Sequence, residues 1–239
     1  MTSGTDETGG NVDPVELAKF SELASRWWDP ASEFRPLHDI NPLRVDFIRQ
    51  RVDLDSQKVL DVGCGGGLLT ESLATLGAVV SGIDLSEQAL AVARLHLKES
   101  GLHVDYHRTS AEDFASAHGE EFDVVTCLEL LEHVPDPFST IQACARLVRP
   151  GGTVFVSTIN RNPKSWLFAI VGAEYILNLL PKGTHAFRKL IKPSELDGWA
   201  RAAGLCGREL EGMHYNPLTG AYHLGAGVDV NYLGVFSKP

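Results

Sequence analysis

KVLDVGCGGGLLTESLATLGAVVSGID, residues Lys58 to Asp84, decides how the rest of the chain is read. It opens on a short apolar run ending at Asp61-Val62-Gly63, the pattern of a buried parallel strand, and breaks into glycines at Gly63, Gly65, Gly66 and Gly67. Glycine permits φ > 0 and leaves no Cβ between backbone and a ligand. Leu68 to Leu76 then carries apolar residues at helical spacing, with Gly77 where a helix C-cap belongs. A second apolar run, Ala78–Ile83, ends on Asp84. Strand, glycine turn, helix, strand and acid lay out a nucleoside crevice at the carboxyl ends of parallel strands, the acid placed to accept from ribose hydroxyls. A tight turn closing a strand–helix corner without any ligand would use the same glycines.

The spacing separates two ligands. A dinucleotide fingerprint reads G-x-G-x-x-G and seats a pyrophosphate on the helix N-terminus. Here Asp61 precedes Gly63 by two residues and Gly65, Gly66 and Gly67 follow. A carboxylate so near the loop repels a pyrophosphate but pairs with an ammonium, directly or through water. That favours S-adenosylmethionine, with its amino-acid end and sulfonium, over a nicotinamide cofactor.

With 239 residues the chain can bury a real core, and no stretch marks a clean linker, so we read a tail over 1–12 and one domain over 13–239. Residues 1–12 are polar, lack an apolar signal core and are expected to be disordered. A formal net charge of −10 and a pI of 5.3 argue against a nucleic-acid groove. Cys64, Cys127, Cys144 and Cys206 lack metal-ligand spacing and read as reduced thiols of a reducing, cytoplasmic compartment.

Outward from the glycine loop, Asp13-Pro14 begins an amphipathic helix running to Trp27-Trp28. Adjacent tryptophans point in different directions, so one covers a cleft or both pack on the sheet. Phe34–His38 reads as a loop, and Asn41-Pro42 as the start of a helix to about Val52 with Arg44 in its first turn. An arginine there opposes the helix dipole unless it reaches an anion such as a ligand carboxylate; a solvated side chain is the other reading. Ser86 caps a helix ending at Ser100-Gly101, and Val104–His107 is a third strand. Thr109–Phe114 reads as a turn where an adenine could lie, making Ala111 and Glu112 candidate contacts together with Leu85 beside Asp84. Strand Phe122–Leu128 opens into Glu129-Leu130-Leu131-Glu132-His133. On one helical turn these two carboxylates and the imidazole would converge, able to bind a divalent cation or supply a general base. A capping acid and a structural histidine are the alternative. After a fifth strand, Thr153–Thr158, the alternation stops: 165–180 is strongly apolar and 160–192 is bordered by basic residues. It is too short and too interrupted to span a bilayer, yet suits a membrane interface or a core helix. The last strands are Gly207–Tyr215 and Val230–Phe236, joined by a glycine-rich loop.

VLDVGCGGG with Asp84, then LELLEHVPDP, RPGG, STINRN, VGAEYI, PKGTH and GVDVNY resemble the ubiquinone-biosynthesis O-methyltransferase family, from about Trp27 to Tyr232. The resemblance implies a Rossmann-like α/β fold with a seven-stranded, mostly parallel sheet whose last strand is antiparallel, N-terminal helices, and an apolar insertion after strand 5. It implies S-adenosylmethionine as donor, held by Arg44, Gly63, Asp84 and Leu128, to which the residue reading adds Asp61, Gly65, Leu85, Ala111 and Glu112. Leu128 stands where members carry methionine, an exchange an apolar contact tolerates. It further implies two O-methylations, of a polyprenyl catechol and of 3-demethylubiquinol, and Mg2+ at Glu129, Glu132 and His133. The expected setting is the cytoplasmic face of the inner membrane, reached through 165–180, with other ubiquinone-pathway enzymes as partners. We assign His133, with Glu132 and Glu129, to substrate deprotonation. A methyltransferase for another small phenol and a donor-binding scaffold without catalysis are the competing readings.

Overall fold

In a computed structural model of the chain, residues 10–165 and 187–239 are described. The helices are α1 (Pro14–Leu23), α2 (Arg35–Arg49), α3 (Leu68–Thr75), α4 (Glu87–Ser100), α5 (Ala111–Ala117), α6 (Pro137–Leu147), α7 (Pro163–Ser165) and α8 (Pro193–Ala202). The strands are β1 (Lys58–Val62), β2 (Val79–Asp84), β3 (Val104–Arg108), β4 (Phe122–Leu128), β5 (Val148–Ile159), β6 (Cys206–Asn216), β7 (Ala221–Gly225) and β8 (Asn231–Ser237). They form one sheet in the order β3-β2-β1-β4-β5-β8-β6-β7, parallel from β3 to β5. β8 is antiparallel to both β5 and β6.

Strand alternation sorts the core into two layers. Val59, Val124, Phe155 and Leu233 pack with Phe47, Ile48 and Leu73 on the α2–α3 face. Leu60, Val125, Val154, Val156 and Tyr232 pack with Ile141, Leu147 and Leu196 on the α6–α8 face. The strand order reverses between β1 and β4, so the crevice at their carboxyl ends is the topological switch point.

The expected alternation holds through β5, although α1 stops at Leu23 and passes into a 3-10 turn over Ala24–Arg26 instead of running on to Trp27-Trp28; three larger departures follow along the chain. α2 begins at Arg35, not Asn41, and Pro42 lies inside it. Ile40, Phe47 and Ile48 are buried along one face of α2, and that burial offsets the ~3 kcal/mol an interior proline costs. Arg44 is therefore well past the first turn, and the dipole argument for it falls. Thr109–Phe114 is not a turn: Ser110 caps α5, accepting from Asp113 N–H. The glycine-rich connection after Tyr215 contains β7, paired antiparallel with β6 so that Tyr215 faces Tyr222, which makes the sheet eight-stranded. The local cue for β7 was masked by glycines at both ends.

Residues 10–12, expected in the tail, are tied down: Asn11 Nδ2 donates to Glu112 Oε1 (3.0 Å) and to the Asp136 carbonyl (2.7 Å). The proposed membrane-facing stretch 165–180 lies outside the described residues except Ser165, which is buried. Among the described residues no helix is long and apolar enough to cross a membrane.

Candidate active site

A cavity of about 970 Å3 opens at the switch point. Arg44, Asp61, Gly63, Gly65, Asp84, Leu85, Ala111, Glu112 and Leu128 all line it, as do Glu129, Glu132 and His133. The glycine turn is stitched to β2 by Gly63 N–H and Cys64 N–H, both donating to the Ile83 carbonyl (2.9 and 3.0 Å). Asp84 locks the two turns together: Oδ2 accepts from Gly65 N–H (2.9 Å) and Oδ1 from Ser86 N–H (2.8 Å). Burial raises its pKa, and those amides partly restrain the rise.

Asp61 is 3% exposed and held by two hydroxyls, Thr70 Oγ1 and Thr126 Oγ1, each donating over 2.7 Å to a different carboxylate oxygen. Burial pushes its pKa up to about 6 against those hydrogen bonds and the Arg44 charge. A cation arriving beside it would draw it down again.

Arg44 is 5% exposed, and its nearest counter-charge is Glu129 Oε1 at 3.8 Å. Among the described residues its Nε and Nη2 have no hydrogen-bond partner, and neither does Nε1 of Trp27, which also lines the cavity. A buried guanidinium without a close acceptor is costly, and burial lowers its pKa accordingly. These donors fit the carboxylate of an amino-acid ligand, as Asp61 fits its ammonium and Asp84 its ribose. The residues present thus suit S-adenosylmethionine.

The glycines serve a second purpose that the sequence reading missed. A Cβ on Gly65 or Gly66 would collide with the Trp27 ring, and one on Gly63 would press on Leu130 at 3.0 Å. Trp27, 8% exposed, is backed by Phe34 with centroids 4.2 Å apart, so it cannot easily give way. Trp28 donates from Nε1 to the Gly66 carbonyl (2.9 Å) and stacks on His96. Both tryptophans therefore seat on the loop itself.

Glu129, Glu132 and His133 do not converge as expected. Glu129 has φ +53 and precedes a single 3-10 turn, Leu131–His133. Ser157 Oγ donates to Glu129 (2.6 Å) and Thr158 Oγ1 to Glu132 (2.7 Å). Adjacent residues of a strand project to opposite faces, so β5 draws the two carboxylates apart. His133 turns to α1, its Nδ1 lying 3.2 Å from Glu16 Oε2. Among the described residues no group of three or more His, Cys, Asp or Glu side chains is placed to hold a metal ion. Among the described residues the magnesium set expected at Glu129, Glu132 and His133 is therefore not assembled.

A Rossmann-like sheet with this turn and this donor-shaped cavity defines an S-adenosylmethionine-dependent methyltransferase. A family profile described as "Methyltransferase domain" matches residues 60–156. Among solved structures, magnesium protoporphyrin IX methyltransferase from Synechocystis with bound S-adenosylhomocysteine superposes with a TM-score of 0.69 at 18% identity, covering 93% of this chain and 95% of that one. That likeness concerns the fold. The relative from Thiobacillus denitrificans named "Ubiquinone biosynthesis O-methyltransferase" is 67% identical over 93% of this chain and 96% of its own length. A Pseudomonas syringae relative of the same name is 63% identical over 93% and 96%. The chain belongs to the ubiquinone biosynthesis O-methyltransferase family.

Proposed function

We propose that this protein is an S-adenosylmethionine-dependent O-methyltransferase of ubiquinone biosynthesis that methylates the phenolic hydroxyl of polyprenyl substrates, a catechol and 3-demethylubiquinol. The observation that carries the reading is the single cavity in which the donor-shaped residues and Glu129–His133 share a wall. The donor supplies a methyl group already activated by its sulfonium. What the chain must do is orient the acceptor oxygen in line and remove its proton, since a phenol of pKa about 10 is mostly protonated at neutral pH.

His133 is the base. Its Nδ1 meets Glu16, whose pKa is lowered chiefly by that hydrogen bond, so the carboxylate is ionised and can only accept. Nδ1 therefore carries the ring proton and the acceptor lone pair is on Nε2. Glu132 and Glu129 line the same cavity, held by Thr158 and Ser157. Leu37, Ile40, Met213, Tyr215 and Tyr222 also line the cavity and offer apolar and aromatic surface for a ring bearing an isoprenoid tail.

Methyl transfer from labelled S-adenosylmethionine to a short-tailed prenyl catechol and to the long-tailed form tests the activity; no transfer to either refutes it. His133→Ala is expected to cut turnover about 10²–10³-fold with donor affinity nearly unchanged, and unchanged turnover removes His133 from the mechanism. The apolar stretch 165–180 would bring the enzyme to the bilayer holding its substrate. Leu167→Asp should then abolish binding to anionic liposomes, and undiminished binding would count against that role.

A further inference from the structure

α1 is anchored unusually for an N-terminal helix. None of its residues is buried, yet Glu16, Leu17 and Phe20 line the cavity. Polar contacts fasten it: Ser21 Oγ lies 2.8 Å from Ser86 Oγ, and Lys189 Nζ donates to Asp13 Oδ2 (2.8 Å) and Glu16 Oε1 (3.3 Å). The other oxygen of Glu16, Oε2, meets His133 Nδ1 at 3.2 Å, and the Phe20 ring stands edge-on to the imidazole with centroids 5.1 Å apart. Glu16 thus bridges a lysine to the proposed base, while Phe20 confines the ring.

We propose that Glu16 is the positioning residue for His133: from α1 it holds the imidazole in the Nδ1–H tautomer, turned so that Nε2 receives the substrate proton. This rests on the reading of His133 as base. In the step, the phenol proton passes to Nε2. The oxygen's electron pair forms the new bond to the methyl carbon as the bond from that carbon to sulfur breaks, its pair staying on sulfur. The imidazolium then lies against a carboxylate, which stabilises it until the proton leaves to solvent. Glu16 lies outside residues 60–156 and 117 positions from His133, so neither the methyltransferase profile nor local spacing points to it.

The test is a double-mutant cycle on the full chain with a short-tailed prenyl catechol. Glu16→Gln should lower kcat about tenfold or more, a part of the ~10²–10⁴ that general bases contribute, while KM and the calorimetric donor Kd stay within about twofold. Glu16→Asp should restore part of the loss, and Glu16→Gln should cost nothing further in the His133→Ala background. Wild-type kcat in Glu16→Gln, or an added loss in the His133→Ala background, overturns the proposal. Asp13→Asn weakens the lysine link but keeps the α1 cap; if it reproduces the whole Glu16→Gln loss, docking of α1 explains the effect and the proposal also falls. An active His133→Ala variant would instead overturn the base assignment itself, whatever Glu16 does.

Discussion

Acidification should weaken donor binding through one residue. Asp61 sits on the cavity wall with its pKa pushed up by burial to about 6, against 3.8 for an ordinary aspartate. Only the ionised form pairs with an ammonium, so affinity is full above about pH 6 and falls near tenfold per pH unit below it. From pH 7.5 to 5.0 that amounts to about tenfold. The same linkage means that donor binding near pH 5.5 expels a proton, since the ammonium draws the Asp61 pKa down. In the free protein the sign is the reverse of a salt-bridged aspartate: the folded state binds this proton more tightly than the unfolded one. The Asp61 contribution to stability therefore declines as pH rises from about 4 to about 6. Asp84, also raised by burial, titrates in the same direction, so the variant and not the slope alone decides. Calorimetry with S-adenosylhomocysteine across this range, in buffers of different ionisation heat, reads both affinity and proton release. Asp61→Asn should bind more weakly at pH 7.5 and lose most of the slope. An Asp61→Asn protein with the full wild-type slope would refute the reasoning.

Arg44→Met keeps the bulk of the side chain but removes the buried charge, and should weaken donor binding by about 1.5–3 kcal/mol, roughly 10- to 150-fold, in the same calorimeter. Because Nε and Nη2 of that guanidinium have no hydrogen-bond partner among the described residues, Arg44→Met should leave the melting temperature unchanged or higher; a clear drop would contradict it. Gly65→Ala forces an alanine to φ +53 and drives a methyl into Trp27, costing about 1–2 kcal/mol for the backbone and about 1–3 kcal/mol for the overpacking. Combined with Trp27→Leu in urea denaturation, the two changes should be less than additive; simple additivity would place the clash elsewhere.

Lys58–Asp84 was legible because every cue in it is local. The strand, the turn glycines, the helix and the terminal acid all obey rules that span a few residues, and the cap at Ser86 is of the same kind. Arg44 was legible as a residue but not as a position, since burial of the Ile40–Ile48 face overrode the proline signal at Pro42. The Glu129-Leu130-Leu131-Glu132-His133 segment misled for a related reason. Helical spacing predicted convergence, but hydroxyls on β5 and a carboxylate on α1 decide where those side chains go. Such contacts join residues far apart in the chain and leave no periodicity to read. The glycine run shows the limit from the other side, for its composition was read as room for a ligand when much of that room is filled by tryptophan.

The tryptophan seat also makes the protein its own sensor. Of four tryptophans, Trp27 and Trp28 lie on the donor loop, Trp199 is on α8 and Trp166 lies outside the described residues. A Trp166→Phe, Trp199→Phe background would confine intrinsic emission to the two indoles touching Gly65 and Gly66. Ligand arrival at the loop could then be followed in a stopped-flow instrument without a label, and with it the order in which donor and quinol enter.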